Sequence, residues 1–154
     1  MSLTLEDAKQ IRNIMELVKS NLTVKYGMRK EALMNKGKEA TDLIVSYLVH
    51  LGFDAKPKRV YVLYQDIKSC TDTCFVEHWI TELVDDKRKL YLDVTLEQFQ
   101  RMFDLKLPRI WVGNKLPTFL LSRKPGKVTL EKCGWTDLQK TGSYINNFEY
   151  KLNR

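Results

Sequence analysis

Two side chains in the stretch EHWITELVDDKRKLYLDVT (residues 77–95) have the types needed for proton transfer: His78 and Asp93. An imidazole held by a carboxylate has a fixed tautomer and a fixed ring orientation, which is the base-and-orienter half of a nucleophilic site. The stretch reads as a β-hairpin, with two apolar runs flanking a polar turn. If Asp85-Asp86 is a two-residue turn, paired positions sum to 171. His78 then stands opposite Asp93, Ile80 opposite Tyr91, Trp79 opposite Leu92 and Thr81 opposite Leu90. Directly paired Cβ atoms lie ~5 Å apart, within reach of an imidazole–carboxylate hydrogen bond. A one-residue slip would send the two side chains to opposite faces.

The elements that must position this pair follow from periodicity. Leu5, Ala8, Ile11, Ile14, Met15, Val18 and Leu22 recur at helical spacing, with Thr4 or Ser2 as the cap. A second helix is expected over about 35–51, with Ala40, Leu43, Ile44, Tyr47, Leu48 and Leu51 on one face and Gly52 as its stop. KRVYVLYQDI (58–67) reads as a strand, then the hairpin. TLEQFQRMFD follows as a short helix capped by Thr95, and RIWVGN, TFLLS and KVTLEK as short strands. Tyr144, Ile145, Phe148 and Leu152 have helical spacing. Helices first and strands after imply an α+β fold, N-terminal helices packed on an antiparallel β-meander.

The chain has 154 residues, suited to a single domain over 1–154 with one core. Hydrophobic content is 44% and charged content 29%, ordinary for a globular chain. No run is long enough to span a bilayer, and MSLTLEDAKQ is not a secretory leader, so the expectation is a cytoplasmic protein with no membrane partner. Three cysteines (Cys70, Cys74, Cys133) suit reduced thiols. Net charge is +7, with the excess in residues 1–60 and 121–154. A surplus of surface lysine is favoured over a nucleic-acid partner, because no basic run interleaves with aromatics.

LIVSYLVHLGFDAKPKRVYV feeding a strand, then HW on a strand and LDVT on the next, resembles the transglutaminase-like branch of the papain-like cysteine-peptidase fold, which includes arylamine N-acetyltransferases. DVTLEQF is similar to the D-x-T-x-x-Q-F of small bacterial and phage papain-like proteins. The resemblance covers about residues 30–120. It implies His78 as general base, Asp93 as its orienter and a nucleophilic cysteine at the start of the second helix. There the free N–H groups and helix dipole lower a thiol's pKa. The matching position is Gly37, with Lys36 and Lys38 beside it.

No other residue has a motif to replace that cysteine. Cys74 lies four residues before His78, ~13 Å away on an extended strand. Cys70 and Cys133 could approach only through the fold. Thr41 is a turn too deep, and Ser69 lies in a loop. Gln65 is a candidate oxyanion donor under the resemblance. Trp79, Trp111 and Tyr91 are core residues or groove walls. Cys70, Cys74 and His78 would line up to hold zinc only on a helix, so no metal and no cofactor is expected. His50, near the end of the second helix, is read as structural.

The leading expectation is a pseudoenzyme or accessory protein with a peptide or protein ligand. The first alternative is an active cysteine hydrolase or acyltransferase using another thiol. The second is a basic nucleic-acid-binding module.

Overall fold

The computed structural model describes residues 3–29, 33, 35–65, 73–100, 106–116 and 120–123. The fold is α+β: among the described residues, two helices pack on a curled antiparallel five-stranded sheet. Helix α1 (Leu5–Tyr26) starts with a capping box, in which Thr4 Oγ1 accepts from the Asp7 N–H and Asp7 accepts from the Thr4 N–H. Helix α2 (Gly37–His50) starts two residues later than the periodicity suggests. Asn35 has φ of 61°, a left-handed conformation that cannot belong to an α-helix. Gly52, with φ of 92°, turns the chain out of α2 as expected.

Strand β1 (Asp54–Gln65) begins four residues earlier than the apolar pattern suggests, and it includes Pro57. A proline fits there because β5 pairs with β1 only at Tyr61 and Val62, which leaves that length of its outer edge unpaired among the described residues. Strands β2 (Thr73–Asp85) and β3 (Arg88–Asp93) make the hairpin, followed by β4 (Trp111–Gly113) and β5 (Leu120–Leu121). The sheet order is β4-β3-β2-β1-β5. The first four strands form the expected meander, while β5 crosses to the other edge and pairs with β1. No helix among the described residues is long and apolar enough to cross a membrane. KVTLEK and the tail from Trp135 lie outside the described residues.

The sheet is apolar on both faces, so the described residues form two core clusters. Ile11, Met15, Val18 and Leu22 of α1 and Ile44 and Leu48 of α2 pack with Leu83, Leu92 and Val112 of the sheet. Val60, Val62, Ile80, Trp111 and Leu120 pack with Leu96 and Phe99 as the second cluster. Fully burying each such side chain contributes about 1.5–3 kcal/mol, and curling lets one sheet bury both faces.

Candidate functional site

The hairpin turn is Asp86-Lys87, closed by the Asp85–Arg88 pair, rather than Asp85-Asp86. Asp86 takes the left-handed conformation with φ of 54°, while Asp85 stays on the strand and its Oδ2 accepts from the Leu3 N–H at 2.9 Å. Paired positions therefore sum to 173. Thr81 faces Leu92 rather than Leu90, and Glu82 rather than Ile80 faces Tyr91. Continuing that register sets Ile80 across from Asp93, with His78 as its diagonal neighbour. The shift is two residues, so facing parity survives and the pair still meets, reaching diagonally instead of straight across.

His78 Nε2 lies 2.6 Å from Asp93 Oδ2, and both side chains are buried. An ionised carboxylate only accepts, so the hydrogen sits on Nε2. The other carboxylate oxygen, Oδ1, accepts from the Thr95 N–H at 2.8 Å and the Thr95 hydroxyl at 2.9 Å. Thr95 therefore braces Asp93 instead of capping the helix, and Leu96–Phe99 is a single 3-10 turn. Phe99 meets the imidazole edge-on, centroids 5.0 Å apart at 88°. Gln98 Nε2 donates to the Thr95 carbonyl. Each named position of D-x-T-x-x-Q-F thus acts on or around one ring.

Helix α2 brings Gly37 to the far side of that ring. A Cβ placed on Gly37 would fall 2.8 Å from both Cε1 and Nδ1 of His78, and 3.1 Å from the Trp79 carbonyl. Real Cβ atoms essentially never sit that close to other atoms. The glycine is what lets the first turn of α2 close on the imidazole, with Nδ1 the ring nitrogen that faces it. Beside them opens a cleft of about 320 Å³, lined by Gly37, Lys38, His78, Trp79, Gln98 and Phe99 among others. Lys38 Nζ stands 4.8 Å from the Trp79 ring centroid at its rim. Trp79 walls the cleft, whereas Trp111 is core.

One supporting residue was not evident from sequence. Lys19 of α1 is buried, donates to the Val94 carbonyl at 2.7 Å and pairs with Glu97 at 3.0 Å. It ties α1 to the segment directly after Asp93. Burial lowers its pKa, against the attraction of Glu97. The signal was present: Lys19 lies four residues after Met15 and three before Leu22, on the apolar stripe itself.

Gln65 and Cys74 are set away from His78 along their strands. Gln65 ends β1, five residues beyond Val60, the residue paired with His78, so its backbone is ~16 Å along the strand. Cys74 lies on β2, four residues from His78 along an extended strand rather than one turn away on a helix. The helix on which Cys70, Cys74 and His78 would share a face is thus absent at Cys74 and His78, and no cluster of metal-ligating side chains occurs among the described residues. Thr41 is buried inside α2. Cys70, Cys133 and Ser69 lie outside the described residues. Comparisons with protein-family models, curated proteins and solved structures returned no match.

Proposed function

We propose that this chain is a papain-like, transglutaminase-like binding domain whose nucleophile position is Gly37, so that its cleft holds a peptide or acyl-like group without covalent catalysis. The observation that carries this reading is the place of Gly37. It stands at the first residue of a helix, against Nδ1 of an imidazole whose Nε2 is held by a carboxylate. A thiol there, once the ring has shifted to admit its Cβ, would have both the helix N-terminus and a base beside it, and a glycine supplies neither thiol nor hydroxyl. The cleft volume lies at the small end of ligand-sized pockets.

The test is the thiol reactivity of the wild type and of Gly37→Cys, each with and without His78→Ala. In the wild type, Cys70, Cys74 and Cys133 should react with iodoacetamide as ordinary thiols, unaffected by His78→Ala. Gly37→Cys should add a thiol that titrates below the ordinary ~8.5 and loses that shift when His78 is removed. A native cysteine whose high reactivity depends on His78 would replace this reading with an active thiol enzyme. An ordinary pKa for the thiol introduced by Gly37→Cys, in a folded variant, would remove the catalytic ancestry.

A further inference from the structure

Glu82 sits on the central strand β2 and is only 2% exposed. Its Oε1 has no hydrogen-bond partner. Three ammonium groups surround the carboxylate instead: Lys56 at 3.5 Å and Lys89 at 3.6 Å from Oε1, and Lys58 at 3.7 Å from Oε2. All three distances exceed ordinary hydrogen-bond length. Glu82 therefore draws the lysines together by charge without using up their N–H donors.

Register explains the convergence. Lys56 pairs with Glu82 across β1–β2, Lys58 is two residues along the same face, and Lys89 pairs with Val84, two residues from Glu82. The cluster thus gathers cations from β1 and β3 over an anion on the strand between them. Lys56 and Lys89 remain 63% and 55% exposed while Glu82 lies beneath. Three positive charges over one negative leave two in excess. Because Lys56 and Lys89 share Oε1, their nitrogens are no more than about 7 Å apart.

We propose that Lys56, Lys58 and Lys89, gathered over Glu82, form a binding site for a compact polyphosphate group. The charge excess calls for a multiply charged anion, and ammonium groups bind phosphate as point charges. The narrow span suits two or three linked phosphates rather than the spaced charges of an extended backbone. Two sources share this chemistry, a nucleoside triphosphate and inorganic polyphosphate. The site is separate from the His78 cleft and does not depend on how that cleft is read.

The test uses the full-length wild type at low salt, titrated with tripolyphosphate, ATP and, for comparison, monophosphate. Amide shift changes should centre on residues 56, 58, 82, 89 and 91, and tripolyphosphate should bind more tightly than monophosphate. Equal affinity for ATP and tripolyphosphate assigns the site to the phosphates alone; tighter ATP binding adds a nucleoside contact. Lys56→Gln/Lys58→Gln/Lys89→Gln should weaken tripolyphosphate by ~10-fold or more. The same change in net charge at the exposed Lys9, Arg29 and Lys106 should leave it within about twofold. Because removing the lysines strands Glu82, a version that also carries Glu82→Gln keeps the comparison available if the triple variant unfolds. Shift changes scattered over the surface, equal loss in both triple variants, or no binding by the wild type would each overturn the proposal.

Discussion

Asp93 and Glu82 are carboxylates on neighbouring strands of one sheet, both almost fully buried, and they are held in opposite ways. Asp93 is bonded through both oxygens, Oδ2 to His78 and Oδ1 to the N–H and hydroxyl of Thr95, at 2.6–2.9 Å. Glu82 has three cations at 3.5–3.7 Å and an Oε1 with no hydrogen bond. The first arrangement fixes a direction, so the ring of His78 has one orientation. The second balances charge and fixes no direction, because the lysines reach it on flexible stems. Direction is what proton chemistry or a shaped cleft needs. Charge alone suffices for gathering an anion.

The sharpest way to break that contrast is the isosteric change Asp93→Asn. Turned one way, the amide NH₂ faces the Thr95 N–H donor; turned the other way, it is met only if the imidazole moves its hydrogen from Nε2 to Nδ1, which reverses the tautomer that Asp93 holds. The expected loss is roughly 2–4 kcal/mol, since a charged acceptor of three buried hydrogen bonds is gone. Urea unfolding measures it, and the His78 ring resonances should broaden or split. Gly37→Ala tests the same orientation from the other side. Its methyl needs space that Cε1 and Nδ1 occupy, and the ring is held by Asp93 and Phe99, so about 1–3 kcal/mol should be lost. Full wild-type stability there would mean the ring moves freely and the site is less rigid than its hydrogen bonds imply.

Lys19 extends the directional arrangement into α1 and carries a pH signature. Burial holds its pKa below 10.5, more strongly than Glu97 pulls it up. The unfolded chain therefore binds that proton more tightly, and unfolding free energy should rise as pH climbs through the window that ends at the ordinary lysine value. Lys19→Met should erase that rise. At neutral pH it should cost about 1–3 kcal/mol, because the Val94 carbonyl loses its donor. Tyr91 works against it at the top of this window: burial, then Glu82, raises its pKa, so stability should fall as pH passes the ordinary tyrosine value of 10.0.

The sequence carried the helices, the meander and the meeting of His78 with Asp93, because those depend on apolar period and on facing parity. It misplaced the turn by one residue and the register by two, since Asp85 and Asp86 are equally turn-like by composition and only the Leu3 contact shows which one stays on the strand. It missed the return of β5 to β1, a long-range pairing of two residues per strand with no local signal. It also read Thr95 as a helix cap. The same residue types cap helices and brace carboxylates, and only the distance to Asp93 separates the two roles. Glu82 carries no such signal, because alternation alone does not tell a buried glutamate from an exposed one.

Glu82→Gln should give the smallest effect, and it tests the contrast from its weaker side. The amide keeps the shape of the carboxylate and removes the charge. No short hydrogen bond at Oε1 is broken, since none is there. The lysines lose their attraction, but the ammonium groups of Lys56 and Lys89 already reach water, which screens it. Relief from burying a charge offsets that loss, so the net change should stay under about 1 kcal/mol. Salt then separates the two states. With Glu82 gone, three neighbouring lysines only repel one another, and added salt should stabilise the variant more than the wild type. A loss as large as that of Asp93→Asn, insensitive to salt, would mean that Glu82 is also held by direction, and the distinction between the two carboxylates would collapse.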